Sequence, residues 1–143
     1  MSHLLPSGVY KLLRENSLKN PNPVLLRPDV AVTSSIEVQR HFLCGVCEER
    51  FNSRGERWIL GNTYQTDGTF PLYYKVMTAP ARCHTDEAAF YNTSGVAEVD
   101  VAQITFFALS VFWRAAATDW PTGNRKRLEF GAYEEGLRKY LLE

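Results

Sequence analysis

The sequence predicts an α+β fold dominated by helices, on three observations. Apolar residues recur at three- and four-residue steps near the C-terminus, where Ala102, Phe106, Leu109, Trp113, Ala116 and Trp120 share one helix face. Extended character is confined to short stretches, around "AVTSSIEVQRHFLC" and "FPLYYKVM". Cys44 and Cys47 sit at C-x-x-C spacing and lead at once into the charged, helix-favouring run "VCEERFNSRGERWILGN". A length of 143 residues suits one domain, and 45% hydrophobic residues suffice for a real core.

The elements follow in order. "SHLLPSGVYKLLRENS" predicts a turn at Pro6-Ser7 and then a helix with Val9, Leu12 and Leu13 on one face. "KNPNPVLLRPD" holds three prolines and is expected to be a loop. The chain is then extended towards the cysteine turn. The helix after the turn puts Phe51 and Trp58 on one face and stops at Gly61-Asn62, with Gly55 as a weak point inside it. "DGTFPLYYKVM" predicts a turn at Asp67-Gly68 and a strand over 70–77, and "ARCHTDEAAFYNTSG" an irregular polar excursion. The longest helix follows, ended by Pro121. A basic loop, "GNRKR", leads to a last helix whose Leu137, Tyr140 and Leu141 dock on the core.

Charge and composition narrow the function. Lysine plus arginine (16) equals aspartate plus glutamate (16), which counts against strong DNA binding by this chain alone. No apolar run approaches the roughly 20 residues that span a bilayer, so no membrane partner is expected. No basic-plus-apolar leader is present, which predicts a cytoplasmic protein. Three cysteines, two of them at C-x-x-C spacing, favour metal or thiol chemistry over a disulfide framework in a reducing compartment.

A C-x-x-C turn aims two thiolates at one point about 2.3 Å from a zinc ion. Structural zinc needs four ligands, and the other candidates are Cys83, His84, His41 and His3. Zinc binding, metal-free reduced thiols and redox chemistry all remain open for the pair. Arg50, Arg54 and Arg57 form either a phosphate-facing stripe or, with Glu49 and Glu56, a solvated mixed-charge face, the second being the simpler reading. The "GNRKR" loop and the Cys83-His84-Asp86-Glu87 cluster are most simply surface loops.

Two short motifs, S-H-L-L-P-x-x-x-Y from Ser2 and L-C-x-x-C-E-x-R-F from Leu43, carry a resemblance. Together with "FALSVFWRAA" (107–116) and "YEEGLRKYLL" (133–142), they resemble bacterial and phage proteins related to HNH endonucleases. The resemblance spans most of the chain. It implies a degenerate treble-clef over 1–62, a strand-and-loop insertion over 63–97, and C-terminal helices over 98–143, all in one domain. It implies His3 as general base and Glu48 as ligand of a catalytic Mg²⁺ or Mn²⁺. It also implies that Cys44 and Cys47 are one knuckle of a structural zinc site, for which Cys83 and His84 are candidate remaining ligands in this sequence. The related proteins carry a further C-x-x-C upstream of S-H-x-x-P, which this sequence lacks, so His3 is expected on an unanchored terminus. The function implied is a metal-dependent nuclease domain acting on DNA. The alternative is a non-catalytic phage or mobile-element protein that binds and inhibits a host protein. A homodimer pooling Cys44 and Cys47 from two copies would also supply four thiolates.

Overall fold

The computed structural model describes residues 1–15, 24–27, 29–33, 37–121 and 127–143. Over these the protein is α+β and dominated by helices. Strand β1 (Ser2–His3) leads into helix α1 (Ser7–Glu15), and β2 (Val24–Arg27) and β3 (Val30–Thr33) form a hairpin before β4 (Gln39–Arg40). The cysteine turn starts α2 (Gly45–Phe51), which passes through a π-helical turn (Asn52–Glu56) into α3 (Arg57–Asn62). Helix α4 (Pro71–Met77), the hairpin β5 (Ala81–His84) and β6 (Ala89–Tyr91), the long α5 (Val101–Ala117) and α6 (Glu134–Leu142) complete it. The sheets are three separate antiparallel pairs, β1 with β4, β2 with β3 and β5 with β6. No helix among the described residues is long and apolar enough to cross a membrane.

The core forms where α2, α5 and α6 meet. Phe51, Phe106, Trp113 and Leu141 are buried together there, and Phe42, Leu43, Leu109 and Leu137 pack around them. Phe51 meets Phe106 and Trp113 edge-to-face, with centroids 5.9 and 6.0 Å apart. Each such pair adds about 0.5–1.5 kcal/mol beyond its area burial. Asp100 starts α5 by accepting the Gln103 N–H at 3.0 Å, satisfying one of the orphan donors of the first turn.

Several expectations are corrected. Residues 71–77 are helical: Pro71 occupies the first helical position, where its fixed φ and missing N–H cost nothing. The spacing there is also helical, since Leu72 and Val76 turn inward while Tyr73, Tyr74 and Met77 face outward. The expected loop contains a strand, with Val24 opposite Thr33 and Arg27 opposite Val30. The polar excursion after residue 80 is exposed as expected but regular, a bulged hairpin with Cys83 opposite Phe90. Helix α5 stops at Ala117, and Trp120 folds back so that its indole N–H donates to the Arg114 carbonyl at 2.7 Å. Residues 19–23 and 123–126, within the expected proline-rich and basic loops, lie outside the described residues.

Gly55 is a contact rather than a weak point. A Cβ there would lie 3.0 Å from the Phe107 Cβ and nitrogen and 3.1 Å from the Gln103 carbonyl oxygen. Only a residue without a side chain lets the π-helical turn and α5 approach so closely.

Candidate functional site

The N-terminus is anchored, contrary to expectation. Ser2 and His3 pair with Arg40 and Gln39, and the Leu4 N–H continues the ladder to the Val38 carbonyl at 2.9 Å. Ser2 is buried, and its hydroxyl accepts the Leu43 N–H at 2.8 Å. The strand is locked because its only polar side chain before His3 is satisfied by the segment that enters the cysteine turn.

His3 is held from several sides. Its Nε2 lies 2.8 Å from Glu37 Oε2, and both side chains are part-buried. The second Glu37 oxygen accepts from Arg14 Nη1 at 2.7 Å, so this carboxylate bridges β1 and α1. The Tyr10 ring packs against the imidazole with centroids 6.3 Å apart, and its hydroxyl accepts the Val38 N–H. Burial pushes the Tyr10 phenol pKa up, keeping it neutral. With Nε2 engaged by a carboxylate, Nδ1 is the nitrogen left to accept a proton.

The cysteine turn caps α2. Cys44 is its N-cap, and Cys44 Sγ accepts the Cys47 N–H at 3.4 Å while the two sulfurs lie 3.3 Å apart. Hydrogen bonds from the Cys47 N–H and thiol pull the Cys44 thiol pKa down. The same thiol–thiol bond, aided by burial, pushes Cys47 up. Cys83 and His84 lie on the exposed β5, and His41 is exposed ahead of the turn. No group of three or more potential ligands gathers among the described residues. The described residues therefore bring two thiols together without a third or fourth ligand beside them.

Glu48 follows in the first turn of α2 and lines an open cleft with Glu49, Asn52, Glu56, Ser7 and Gly8. Its Oε1 is buried and has no hydrogen-bond partner among the described residues. A carboxylate oxygen left unpaired at a cleft wall favours a cation, since a buried acceptor without a partner costs about 1–3 kcal/mol.

Residues not singled out in the sequence tie this region together. Arg114 is 2% exposed. It pairs with Glu56, donates to the His3 carbonyl at 3.2 Å, and lies 4.8 Å above the Phe51 ring. The π-helical turn makes this possible. In a regular α-helix Phe51 and Glu56 would be about 140° apart, whereas a turn closed by an i→i−5 bond stacks residues five apart. That bond runs from the Arg57 N–H to the Asn52 carbonyl. A lone cation in the apolar run 101–117 is the one sequence signal that pointed to Arg114; Glu37 had none. Of the arginine stripe, Arg57 lies 3.5 Å from Glu49 and Arg54 packs over the Phe106 ring. No family model, curated protein or solved structure matches the chain, so the chemistry of these side chains carries the functional argument.

Proposed function

We propose that this chain is an HNH-like, metal-dependent nuclease domain with His3 as its general base. The observation that supports it is the His3–Glu37 contact at 2.8 Å, which orients an otherwise terminal imidazole and leaves Nδ1 for a water proton. Strand β1, which carries His3, pairs with β4, and β4 runs through the cysteine turn into α2, which carries Glu48, so one short strand pair links the two residues the resemblance names. Glu48 fits a magnesium or manganese ion, because such ions commonly bind through one or two carboxylates and complete their shell with water and substrate phosphate. When bound, the metal supplies charge stabilisation to the phosphodiester. Of the cleft carboxylates, Glu49 and Glu56 lie against Arg57 and Arg114, and Glu48 carries the oxygen without a partner among the described residues. A structural zinc on Cys44 and Cys47 would take its remaining ligands from another molecule, a second copy being one source.

Incubation of plasmid DNA with the purified protein and Mg²⁺ or Mn²⁺ tests this. Cleavage is expected to stop with chelator and to fall roughly 10²–10⁴-fold in His3→Ala, with Glu48→Gln shifting the metal dependence. No cleavage by the wild type, or unchanged rates in both variants, overturns the assignment.

A second reading, a protein that binds and inhibits a host protein, is favoured by one surface. On α4, Tyr73 and Tyr74 are 55% and 59% exposed, with Phe70 and Met77 beside them. Aromatic and methionine side chains are what interface centres are rich in. Tyr73→Ser with Tyr74→Ser should abolish capture of the host protein if that reading holds.

A further inference from the structure

We infer that Arg114 is a positioning residue for His3, fixing its main chain to helix α5 in the same frame as Glu56. The inference rests on the reading of His3 as the base and adds where its placement comes from.

His3 belongs to a ladder of two residues, too short to hold a strand on its own. Glu37 steadies the imidazole but reaches only the ring, and the main-chain pairing with β4 is short. The His3 carbonyl is instead held by Arg114 Nη1, across 111 residues of chain. The other terminal nitrogen of the same guanidinium pairs with Glu56, which lines the cleft beside Glu48. One flat, rigid group thus sets the separation between the strand that carries the base and the wall that carries the carboxylates.

The choice of arginine argues for geometry over charge. A buried cation is costly unless it is paired, and replacing such a pair by apolar residues of similar size is often neutral or stabilising. Stability alone therefore does not call for a guanidinium here. A lysine ammonium answers Glu56 as a charge, but it lacks the planar fork whose donors point two ways at once. The fork itself is held still: Phe51 lies beneath it, and Glu56 takes its Nη2. These contacts fix the direction in which Nη1 points.

The test uses the full chain carrying Arg114→Lys, which keeps the charge for Glu56 and removes the fork. Leu137→Ala serves as a control for general destabilisation. Thermal melts establish that both variants are folded. NMR then follows exchange of the Leu4 amide and mobility of the His3 ring, and plasmid cleavage with Mn²⁺ gives kcat and KM. Loss of a charge-assisted hydrogen bond predicts roughly tenfold faster Leu4 exchange in Arg114→Lys, with a more mobile His3 ring. It also predicts kcat lower by roughly ten- to a hundredfold with KM little changed, because a misplaced base affects the chemical step. Wild-type exchange and ring mobility in a folded Arg114→Lys overturn the inference, as does equal loosening in Leu137→Ala. If the wild type cleaves no DNA, the nuclease reading falls and the NMR comparison alone decides whether Arg114 positions His3. Unchanged kcat in a loosened variant overturns the link from position to catalysis.

Discussion

Placing one methyl group at Gly55 tests how closely the helices cross. The added Cβ would meet the Phe107 Cβ and nitrogen at 3.0 Å and the Gln103 carbonyl oxygen at 3.1 Å. Two of these atoms are backbone of a 17-residue helix and cannot rotate aside. Carbon contacts settle at about 3.5–4.0 Å, so the crossing must open by about half an ångström. Overpacking of this kind costs about 1–3 kcal/mol, against about 1 kcal/mol gained when alanine replaces glycine in a helix. The net is a loss of about 1 kcal/mol, or about 4 °C in melting temperature for a domain of this size. Gly136 on α6 supplies the opposite case, because nothing lies within 4 Å of its added Cβ. Gly136→Ala should therefore gain up to about 1 kcal/mol. Thermal and urea melts followed by circular dichroism compare the two variants with the wild type. If Gly55→Ala melts at or above the wild type while Gly136→Ala gains as expected, the close approach of α5 and the π-helical turn is refuted.

Three further outcomes follow from the same structure. Leu141 is wholly buried in the aromatic cluster, and Leu141→Ala should lose about 2–5 kcal/mol in urea denaturation; a loss below about 1 kcal/mol means that α6 is not docked on the core. The Asp100 carboxyl is held below its ordinary value of 3.8 by the Gln103 side chain and N–H, so its stabilisation is present above that value and disappears as pH falls through the lowered one. Asp100→Asn should thus be less stable than the wild type at neutral pH, with the gap closing in acid; a gap constant across pH contradicts the assignment. Cys44 is exposed with a lowered thiol pKa and Cys47 is pushed the other way, so iodoacetamide should label Cys44 first in chelator-treated protein, and peptide mapping showing equal labelling would refute that order.

Helices α1, α2, α5 and α6 were legible because an amphipathic pattern is local: residues three and four apart declare a face whatever the rest of the chain does. The cysteine turn was legible as a helix start for the same reason. Helix α4 was misread because an apolar, aromatic run of seven residues suits strand and helix alike, and Pro71 at the first helical position decided it. Gly55 looked like a propensity defect and is a packing requirement, since the atoms that demand it lie on α5. His3 stood out in the sequence, but its anchoring did not. Glu37 and Arg114 reach it directly, Arg14 and Glu56 hold those two in turn, and the π-helical turn that aligns Phe51 with Glu56 has no local signature. Local patterning determined which segments become helices. Which buried charges meet was decided only by tertiary structure, because Arg114 and Glu56, 58 residues apart, have no periodicity to announce them and pair only once the burial of α5 forces Arg114 to find partners.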